Sequence, residues 1–497
     1  MSNTDTPVPR TYGNWRRPTA AGFGKLSFGA SMGLLGAMVL IVLIYSTLGL
    51  RWSVGFGLVS AAAIWAVSAR DRHGISVADS TGERMRFWWA SRMKRNIYRS
   101  GPLTPVLAST GKCSLPGIAA ASRISEQVDS YDRPYALMRH ADGSLAVVIK
   151  LAPSGADLLD VDQVDLQVAY WGQWLADLGG ELGIVGASVC VETTPDTGKR
   201  LEREVRRRVD PAAPELSKQI MREIVADYRA GSAQVRTWLT LVFEPAKMGA
   251  RKRSFDQAAR DIGTRLPGLT QTLVAAGAGA VHLMTVEEVV RLVRVAYDPA
   301  CESLFEDAAA AGEDVHVSWD DAGPVSALAL WDSYRHDSGV SRSWIVTAPP
   351  RGVVQSSLLR TILSANSDVD RKRVTILYHP MDAGMAPDVV EADLNKARAR
   401  VETTARPTAR SVSELQVAQQ VAAEEAGGAG LVDFGIILTA TTSAPVDMDD
   451  TSAAMAALAA ASRLQVRIAY GAQDSAFALG LPLGLRPPSQ QMGGGAR

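Results

Sequence analysis

Two short stretches of the sequence come close to the loop that binds nucleotide phosphates. That loop needs the pattern G-x-x-x-x-G-K-[ST], because its glycine backbone cradles the phosphates, its lysine reaches them and its hydroxyl holds Mg²⁺. Thr110-Gly111-Lys112-Cys113 has Val106 in place of the first glycine and a cysteine in place of the hydroxyl. Thr197-Gly198-Lys199-Arg200 has Thr193 at the first position and an arginine at the last. We therefore expect no nucleotide hydrolysis.

Metal-binding and nucleophile patterns are equally weak. Neither H-E-x-x-H nor C-x-x-C occurs, and the 6 histidines never lie two or four positions apart. Gly29-Ala-Ser31-Met-Gly33 matches G-x-S-x-G, but it lies inside an apolar helical run rather than at a strand-turn-helix. Asp160 and Asp162 precede a predicted helix, where N-capping explains them better than cation binding. The sequence predicts no metal, no cofactor and no enzyme.

A basic aromatic stretch at residues 85–99 could contact an anionic surface. The side chains that we assign to a membrane interface are Arg86, Trp88, Trp89, Arg92, Lys94 and Arg95. Aromatic rings at headgroup depth and bases facing anionic lipid suit a segment lying on a bilayer. Single-stranded nucleic acid is bound by the same residue types. Lipid is the simpler interpretation because an apolar run ends nearby, at Ala69, and we do not expect direct nucleic-acid binding.

Three further basic clusters lie at residues 206–208, 251–253 and 371–373. They could touch phosphate. Each is short and lies in the acidic remainder of the chain, so we interpret them as solvated helix ends or loops.

The overall charge is balanced but unevenly distributed. The 497 residues carry 52 Lys and Arg against 52 Asp and Glu, whereas residues 1–100 carry 13 bases against 4 acids. This asymmetry indicates two different surroundings for the two parts of the chain. Three widely spaced cysteines argue against a disulfide framework.

Two long uncharged runs indicate membrane-spanning helices. Leu26–Leu50 and Trp52–Ala69 contain 25 and 18 uncharged residues. One helix over both would be ~66 Å long, about twice a hydrocarbon core, so we predict a transmembrane hairpin that turns at Thr47–Ser53. Basic residues flank both ends, which predicts a multi-pass protein of the inner (plasma) membrane with both termini cytoplasmic. A single span with a re-entrant segment is the alternative.

Small residues could let these helices pack closely. Gly29, Gly33 and Ala37 form a small-xxx-small ridge on the first helix. Packing of the hairpin against itself is the favoured interpretation, ahead of packing against a partner subunit.

Beyond the hairpin the sequence alternates short strands and helices. Asp142-Gly143 predicts a tight turn, and Asp162–Leu178 has the apolar spacing of a helix. The order of elements recurs without a residue-level repeat, so the fold class is α+β, with two mixed subdomains after the hairpin. The predicted domains are a cytoplasmic N-terminus (1–25), the transmembrane hairpin (26–70), a basic aromatic juxtamembrane segment and linker (71–130), a first α+β subdomain (131–300), an acidic connector (301–325), a second α+β subdomain (326–486) and a disordered tail (487–497).

This arrangement resembles two neighbouring components of conjugative type IV secretion. The N-terminal part is similar to the small two-span PrgI-type membrane proteins, and the rest to the N-terminal domain of CagE/TrbE-type transfer ATPases. The residues that carry the second likeness are Ala136–Lys150, Trp171–Leu178 and, most specifically, Gln473–Gly484, which we call the closing segment. In that family a RecA-like motor follows this segment. Here 13 residues follow Gly484, so the resemblance implies that the motor is a separate polypeptide.

The resemblance implies a non-enzymatic inner-membrane scaffold component of a conjugative type IV secretion apparatus for DNA or protein transfer, as in actinobacterial transfer modules. The implied partners are the lipid bilayer, a separate transfer ATPase and other secretion-channel subunits, with the chain itself oligomeric. An EccE-like membrane component of type VII secretion is one alternative. A membrane-tethered enzyme acting on a lipid-linked substrate is the other, and it would need a pocket of paired titratable groups.

Overall fold

The computed structural model describes most of the chain between residues 28 and 486. The described residues are 11–12, 28–69, 71, 73–101, 112–155, 159–196, 199–231, 233–249, 253–348, 350, 354–403, 406–443 and 447–486. The predicted N-terminus at 1–25 lies outside them except for Thr11 and Tyr12, and the predicted tail at 487–497 lies outside them entirely.

The described residues form 14 α-helices and 15 strands. The helices are α1 (Phe28–Leu48), α2 (Leu50–Ser68), α3 (Val77–Arg92), α4 (Val161–Gly180), α5 (Lys199–Arg208), α6 (Glu215–Gly231), α7 (Phe255–Ala275), α8 (Val286–Tyr297), α9 (Cys301–Ala311), α10 (Arg360–Leu363), α11 (Ala386–Glu402), α12 (Ala409–Ala426), α13 (Met448–Ala461) and α14 (Gln473–Leu479). The strands are β1 (Thr11–Tyr12), β2 (Ile97–Arg99), β3 (Arg123–Val128), β4 (Pro134–Arg139), β5 (Leu145–Ala152), β6 (Ile184–Pro195), β7 (Ala233–Phe243), β8 (Ala280–Leu283), β9 (Ser326–Ala329), β10 (Tyr334–His336), β11 (Gly339–Ala348), β12 (Val354–Gln355), β13 (Arg371–Pro380), β14 (Val432–Thr442) and β15 (Gln465–Ile468). The α+β part of the predicted fold class is confirmed.

One antiparallel sheet organises the body. It has 13 strands in the described residues, in the order β2-β9-β10-β11-β14-β13-β6-β7-β5-β4-β3, with β15 paired to β11 and β8 paired to β5. Strands β1 and β12 form a separate pair. The regions that the sequence divided into two subdomains share this one sheet, joined where β6 pairs with β13.

The two halves of the sheet repeat the same order of elements. Each half begins with a hairpin, β4–β5 in the first half and β10–β11 in the second. A helix, a strand, a helical pair, a strand, a helix, a strand and a helix then follow, with the short β12 as an addition in the second half. In both halves the last strand returns to the second strand of the hairpin, so β8 pairs with β5 and β15 with β11. The central pair β6–β13 is antiparallel, which relates the halves by an approximate two-fold rotation.

Both faces of the sheet are covered, and this explains its apolar strands. In β5, Leu145 and Val147 point to one core and Ala146 and Val148 to another, as expected for successive residues of a strand. The first core contains α4 and α7, the second contains α8 and α14, and a third contains α10 and α13. A strand buried on both faces reads as a continuous apolar run, as β5 does.

The closing segment, which begins with α14, crosses the sheet on the face that also carries α8. Gln473 is fully buried, and its Oε1 accepts a hydrogen bond from Ser343 N at 2.8 Å while its Nε2 donates to Ser343 O at 3.1 Å. Farther along, Gly480 O accepts hydrogen bonds from Thr375 of β13 and Cys190 of β6. The segment therefore links strands of both halves.

Helices α1 and α2 form a helical pair with a break at Gly49. Gly49 has a φ of 84°, a conformation that favours glycine, and it ends α1. The two helices pack closely, since a Cβ on Gly57 would lie 3.8 Å from Ile41 Cδ1.

None of the helices in the described residues is sufficiently long and apolar to span a bilayer. The predicted transmembrane hairpin at 26–70 is therefore wrong, and so is the predicted multi-pass location in the inner membrane. The sequence argument counted uncharged residues, and these include polar ones. In the first run the polar residues are Ser27, Ser31, Ser46 and Thr47, and in the second they are Ser53, Ser60 and Ser68.

Candidate interaction surface on the basic aromatic helix

Helix α3 carries the predicted interface residues, and the body holds it by one face. Its N-terminus is capped by Ser76, whose Oγ accepts a hydrogen bond from Asp79 N at 3.0 Å. One turn farther, the Glu83 carboxylate binds the guanidinium group of Arg467 at 2.7 Å. Phe87 then packs edge-on against Trp331, with 5.3 Å between ring centroids. These contacts fix the orientation of α3.

Aromatic stacking supports the docking site of α3. Trp331 stacks on Tyr470 at 5.4 Å between ring centroids, and Arg467 lies over the Tyr470 ring at 5.5 Å. Gly471 has a φ of 70°, and a Cβ there would come within 2.8 Å of the Trp331 ring. Glycine is thus required at this position by both conformation and space.

The opposite face of α3 is open. Trp88 and Trp89 are 59% and 54% exposed, an unusual state for tryptophan. The basic side chains Arg86, Arg92, Lys94 and Arg95 are also exposed. The structure therefore brings all six sequence-predicted interface residues together on one open surface. Their assignment to a lipid interface stays a prediction.

The same surface continues onto the edge of the sheet. A turn at residues 93–96, with Lys94 at a φ of 55°, leads directly into β2, which pairs with β9 at the sheet edge. Exposed Met93, Ile97 and Arg99 extend the surface. We call the six predicted residues together with these three the α3–β2 surface.

The charge of the α3–β2 surface is uncompensated within the described part of the chain. None of its bases forms an ion pair there, and Glu83, the nearest acid on α3, is already bound to Arg467. Arg86 donates only to its own helix, from Nε to Gly82 O at 3.3 Å. Clustered cations beside exposed aromatic rings attract anionic partners.

The residues predicted to pack the first helix are only partly described. Gly29, Gly33 and Ala37 all lie in α1. Ala37 is half-buried. The surroundings of Gly29 and Gly33 lie outside what the structure describes, so the packing of this ridge stays a prediction.

The two lysines of the near-miss phosphate loops are bound to carboxylates. Lys112 forms an ion pair with Asp320, and both side chains are about half exposed. Lys199 lies at the start of α5 and pairs with Asp307 at 2.6 Å.

A serine and a histidine meet inside the core with the geometry of a catalytic pair. His336 Nε2 lies 2.8 Å from Ser341 Oγ, and His336 Nδ1 lies 2.6 Å from Tyr297 O. Both side chains are fully buried, and burial lowers the pKa of His336 to about 4. A substrate has no access to this pair, so we interpret it as part of the core.

The basic cluster at residues 371–373 is buried, so its interpretation as a solvated loop is wrong. These residues begin β13, in the centre of the sheet. Arg373 Nη2 lies 2.9 Å from Glu192 Oε1, and Arg371 also binds Glu302. Burial by itself would raise the pKa of Glu192, but the two guanidinium groups outweigh it and lower the pKa. The arginines of this cluster can be buried because Glu192 and Glu302, which are remote in the sequence, neutralise them.

The cluster at residues 206–208 lies on α5 and is exposed, with intrahelical partners at Glu202 and Glu204. Of the cluster at 251–253, the structure describes Arg253, which pairs with Asp261 at 3.1 Å. Among the described residues, no three His, Cys, Asp or Glu side chains are grouped so that they could hold a metal ion.

Sequence reasoning missed the residues that hold α3 in place. Arg467, Trp331 and Tyr470 lie more than 230 positions from α3, and no local pattern marks them. The spacing of Glu83 and Phe87, one helical turn apart, was the one available signal for an inward face.

Comparison with known proteins gives no relative: neither the protein-family models nor the curated proteins contain a match to this sequence.

Proposed function

We propose that this chain is a non-enzymatic scaffold of a conjugative type IV secretion apparatus and docks a separate ATPase. The observation that carries the proposal is the α3–β2 surface, an exposed group of bases and tryptophans held on a large sheet. In this proposal the surface binds the ATPase, in place of the lipid interface predicted from the sequence. A scaffold must present a fixed recognition surface, and Glu83, Phe87 and Arg467 fix this one.

The order of elements supports the same function. In the resembling ATPases the closing segment leads from the platform to the motor. Here this segment crosses the sheet through Gln473 and Gly480, so a partner bound near its end would be coupled to both halves of the platform. The proposal includes no membrane-spanning anchor.

Partner capture tests this function. Full-length protein, tagged and purified, is mixed with the ATPase encoded nearest to its gene, and binding is measured by co-purification and by titration. The variant R86E/R92E/R95E reverses three charges of the α3–β2 surface and is expected to weaken binding at least about tenfold. The matched control is R206E/R207E/R208E, which makes the same charge change on α5.

Three results would contradict the proposal. One is failure of the wild type to capture any transfer ATPase. Another is a stable complex with type VII core subunits, which would favour the EccE-like alternative. The third is binding of ATP by the purified chain that is lost in Lys112→Ala, since this would point to a motor.

A further inference from the structure

Two helical pairs occupy equivalent positions in the repeated halves of the sheet. Arm A consists of α5 and α6 (residues 199–231) and connects β6 to β7. Arm B consists of α11 and α12 (residues 386–426) and connects β13 to β14. In α11 the buried residues are Ala386 and Val390, both in the first two turns, so arm B leaves the body soon after its base.

The arms lie at opposite ends of the sheet. Arm A follows the last residue of β6, Pro195, and arm B follows the last residue of β13, Pro380. Because β6 and β13 are antiparallel neighbours, these two positions are at opposite ends of the strand pair. The base of each arm is the end next to the sheet, and its tip is the turn between its two helices.

Arm A carries three arginines at its tip, which pair with Glu202 and Glu204 of the same helix, and charges of both signs at its base. At its tip, the side chains of Arg206, Arg207 and Arg208 are 79%, 72% and 74% exposed. Toward its base, α6 exposes Glu223 and Asp227. Over the whole arm there are nine Lys and Arg against six Asp and Glu.

Arm B exposes acids at its base and arginines toward its tip. Asp388, Glu391 and Glu424 are exposed at its base, and none of them forms an ion pair within the described part of the chain. Toward its tip it exposes Arg398 and Arg406. Over the whole arm there are seven Asp and Glu against five Lys and Arg.

Apolar side chains on the two arms match as well. Helix α6 exposes Leu216, Ile220 and Ile224, which at a spacing of four residues form one ridge from tip to base. Beside the ridge, a groove of about 510 Å³ runs between α5 and α6 over an apolar floor that includes Val205 and Met221. Near arm B, the exposed large apolar residues are Met385, directly before α11 at the base, and Val412, toward the tip.

We propose that arm A of one copy of this chain binds arm B of a second copy, side by side and in opposite directions. The tip arginines of arm A then face Asp388, Glu391 and Glu424, and Glu223 and Asp227 face Arg398 and Arg406. Leu216 meets Met385, and Ile224 meets Val412. Helices α6 and α11 have 17 residues each, about 25 Å, so the arms match in length.

Such a contact joins two different surfaces, so it leaves a free arm on each copy. Repeated contacts of this kind close into a ring or continue as a filament. The inference does not rest on the proposed function, because it requires no ATPase.

Sedimentation velocity of the full-length chain over a range of concentrations tests the inference. The wild type is expected to self-associate at about 0.05 M salt and to dissociate in part at about 0.5 M, because exposed charges are screened. R206E/R207E/R208E reverses the tip of arm A, and D388K/E391K/E424K reverses the base of arm B. Each variant alone is expected to associate at least about tenfold more weakly.

Mixing the two variants is the decisive experiment. The acidic tip of arm A in R206E/R207E/R208E then faces the basic base of arm B in D388K/E391K/E424K. The other two arms keep their natural charges and can also bind each other. Association is therefore expected to return in the mixture. The control R86E/R92E/R95E, with the same charge change on the α3–β2 surface, is expected to associate like the wild type.

The inference is overturned if the wild type stays monomeric. It is also overturned if both arm variants associate as strongly as the wild type, since that would indicate association through the exposed apolar residues of α1 and α2. Loss of ATPase capture with intact self-association would count only against the proposed function.

Discussion

His140 Nε2 lies 2.8 Å from the main-chain oxygen of Leu483, 343 residues farther along the chain. A carbonyl oxygen only accepts hydrogen bonds, so Nε2 must donate, and the ring is held in one neutral tautomer. Burial lowers the pKa of His140 and favours this neutral form. The turn between β4 and β5 thereby fixes the end of the closing segment.

Gly484 ends the closing segment in a place where no larger residue fits. Its φ is 69°, and a Cβ would lie 2.6 Å from Ala146 Cβ and 3.0 Å from Val242 Cγ2. We expect Gly484→Ala to lower the free energy of unfolding by about 2–4 kcal/mol, from backbone strain and overpacking together. Urea denaturation of the full-length protein measures this.

The control for this prediction is Gly428→Ala. Gly428 also has a positive φ, 93°, but a Cβ there meets nothing within 4 Å. This variant carries the backbone strain alone, which costs about 1 kcal/mol. Equal losses in the two variants would show that the close contact of Gly484 with β5 and β7 is unimportant.

Buried His336 predicts that stability falls in mild acid. Its folded pKa is about 4, against an ordinary value of 6.5, so between these values the unfolded chain binds a proton that the folded chain does not. Above pH 6.5 His336 is neutral in both states and costs no stability. As the pH falls from 6.5 toward 4, protonation of this histidine in the unfolded chain lowers the free energy of unfolding. At pH 5 the loss from this residue is about 2 kcal/mol relative to pH 7.

Denaturant unfolding at the two pH values measures this loss. His336→Gln cannot titrate, so its stability should change less between pH 7 and pH 5 than that of the wild type. His316→Gln, the same substitution at an exposed histidine, controls for the loss of a histidine in general. If His336→Gln keeps the wild-type slope, another group causes the acid loss.

Local sequence patterns predicted several elements correctly. The turn at Asp142-Gly143 joins β4 to β5, with Gly143 at a φ of 82°, and the helix predicted at Asp162–Leu178 is α4. Both predictions depend on neighbours within a few residues, namely a positive φ in a tight turn and the 3.6-residue period of a helix.

Features that depend on remote partners were not predictable. Three consecutive bases at 371–373 read as a loop, and only Glu192 and Glu302 make their burial possible. The inward face of α3 likewise depends on Arg467, nearly 400 residues away. The error over α1 and α2 has another cause, because a count of uncharged residues does not separate polar residues from apolar ones.

Glu192 should be essential for stability because it is buried between two arginines. Glu192→Gln keeps the shape of the side chain but leaves Arg371 and Arg373 without this negative charge inside the sheet. Breaking a buried pair in this way costs about 3–5 kcal/mol. Thermal and urea unfolding measure the loss.

An exposed pair provides the comparison for Glu192. Asp320→Asn removes the partner of Lys112, and both side chains are about half exposed to solvent. We expect a much smaller loss there, because water solvates and screens an exposed pair. A similarly small loss for Glu192→Gln would mean that water reaches the centre of the sheet.

Lys372 should destabilise the folded chain at neutral pH. It is 1% exposed, and its Nζ donates a hydrogen bond to Ser364 O at the end of α10. Burial lowers its pKa from 10.5 to about 8. The unfolded chain thus binds the proton of Lys372 more tightly than the folded chain does. The resulting loss of folding stability is complete below pH 8 and disappears as the pH rises from 8 to 10.5.

Lys372→Met removes the charge and keeps most of the volume. Removing the buried charge should raise the free energy of unfolding by about 3 kcal/mol, whereas losing the hydrogen bond to Ser364 should lower it by about 1 kcal/mol. We therefore expect the variant to be more stable than the wild type at pH 7 by about 1–2 kcal/mol. Its advantage should shrink at about pH 9.5, where the folded wild type holds little of this charge. Lys150→Met, the same change at an exposed position of β5, controls for the substitution itself. A variant less stable than the wild type at pH 7 would mean that the contact of Lys372 with the end of α10 outweighs the cost of burying its charge.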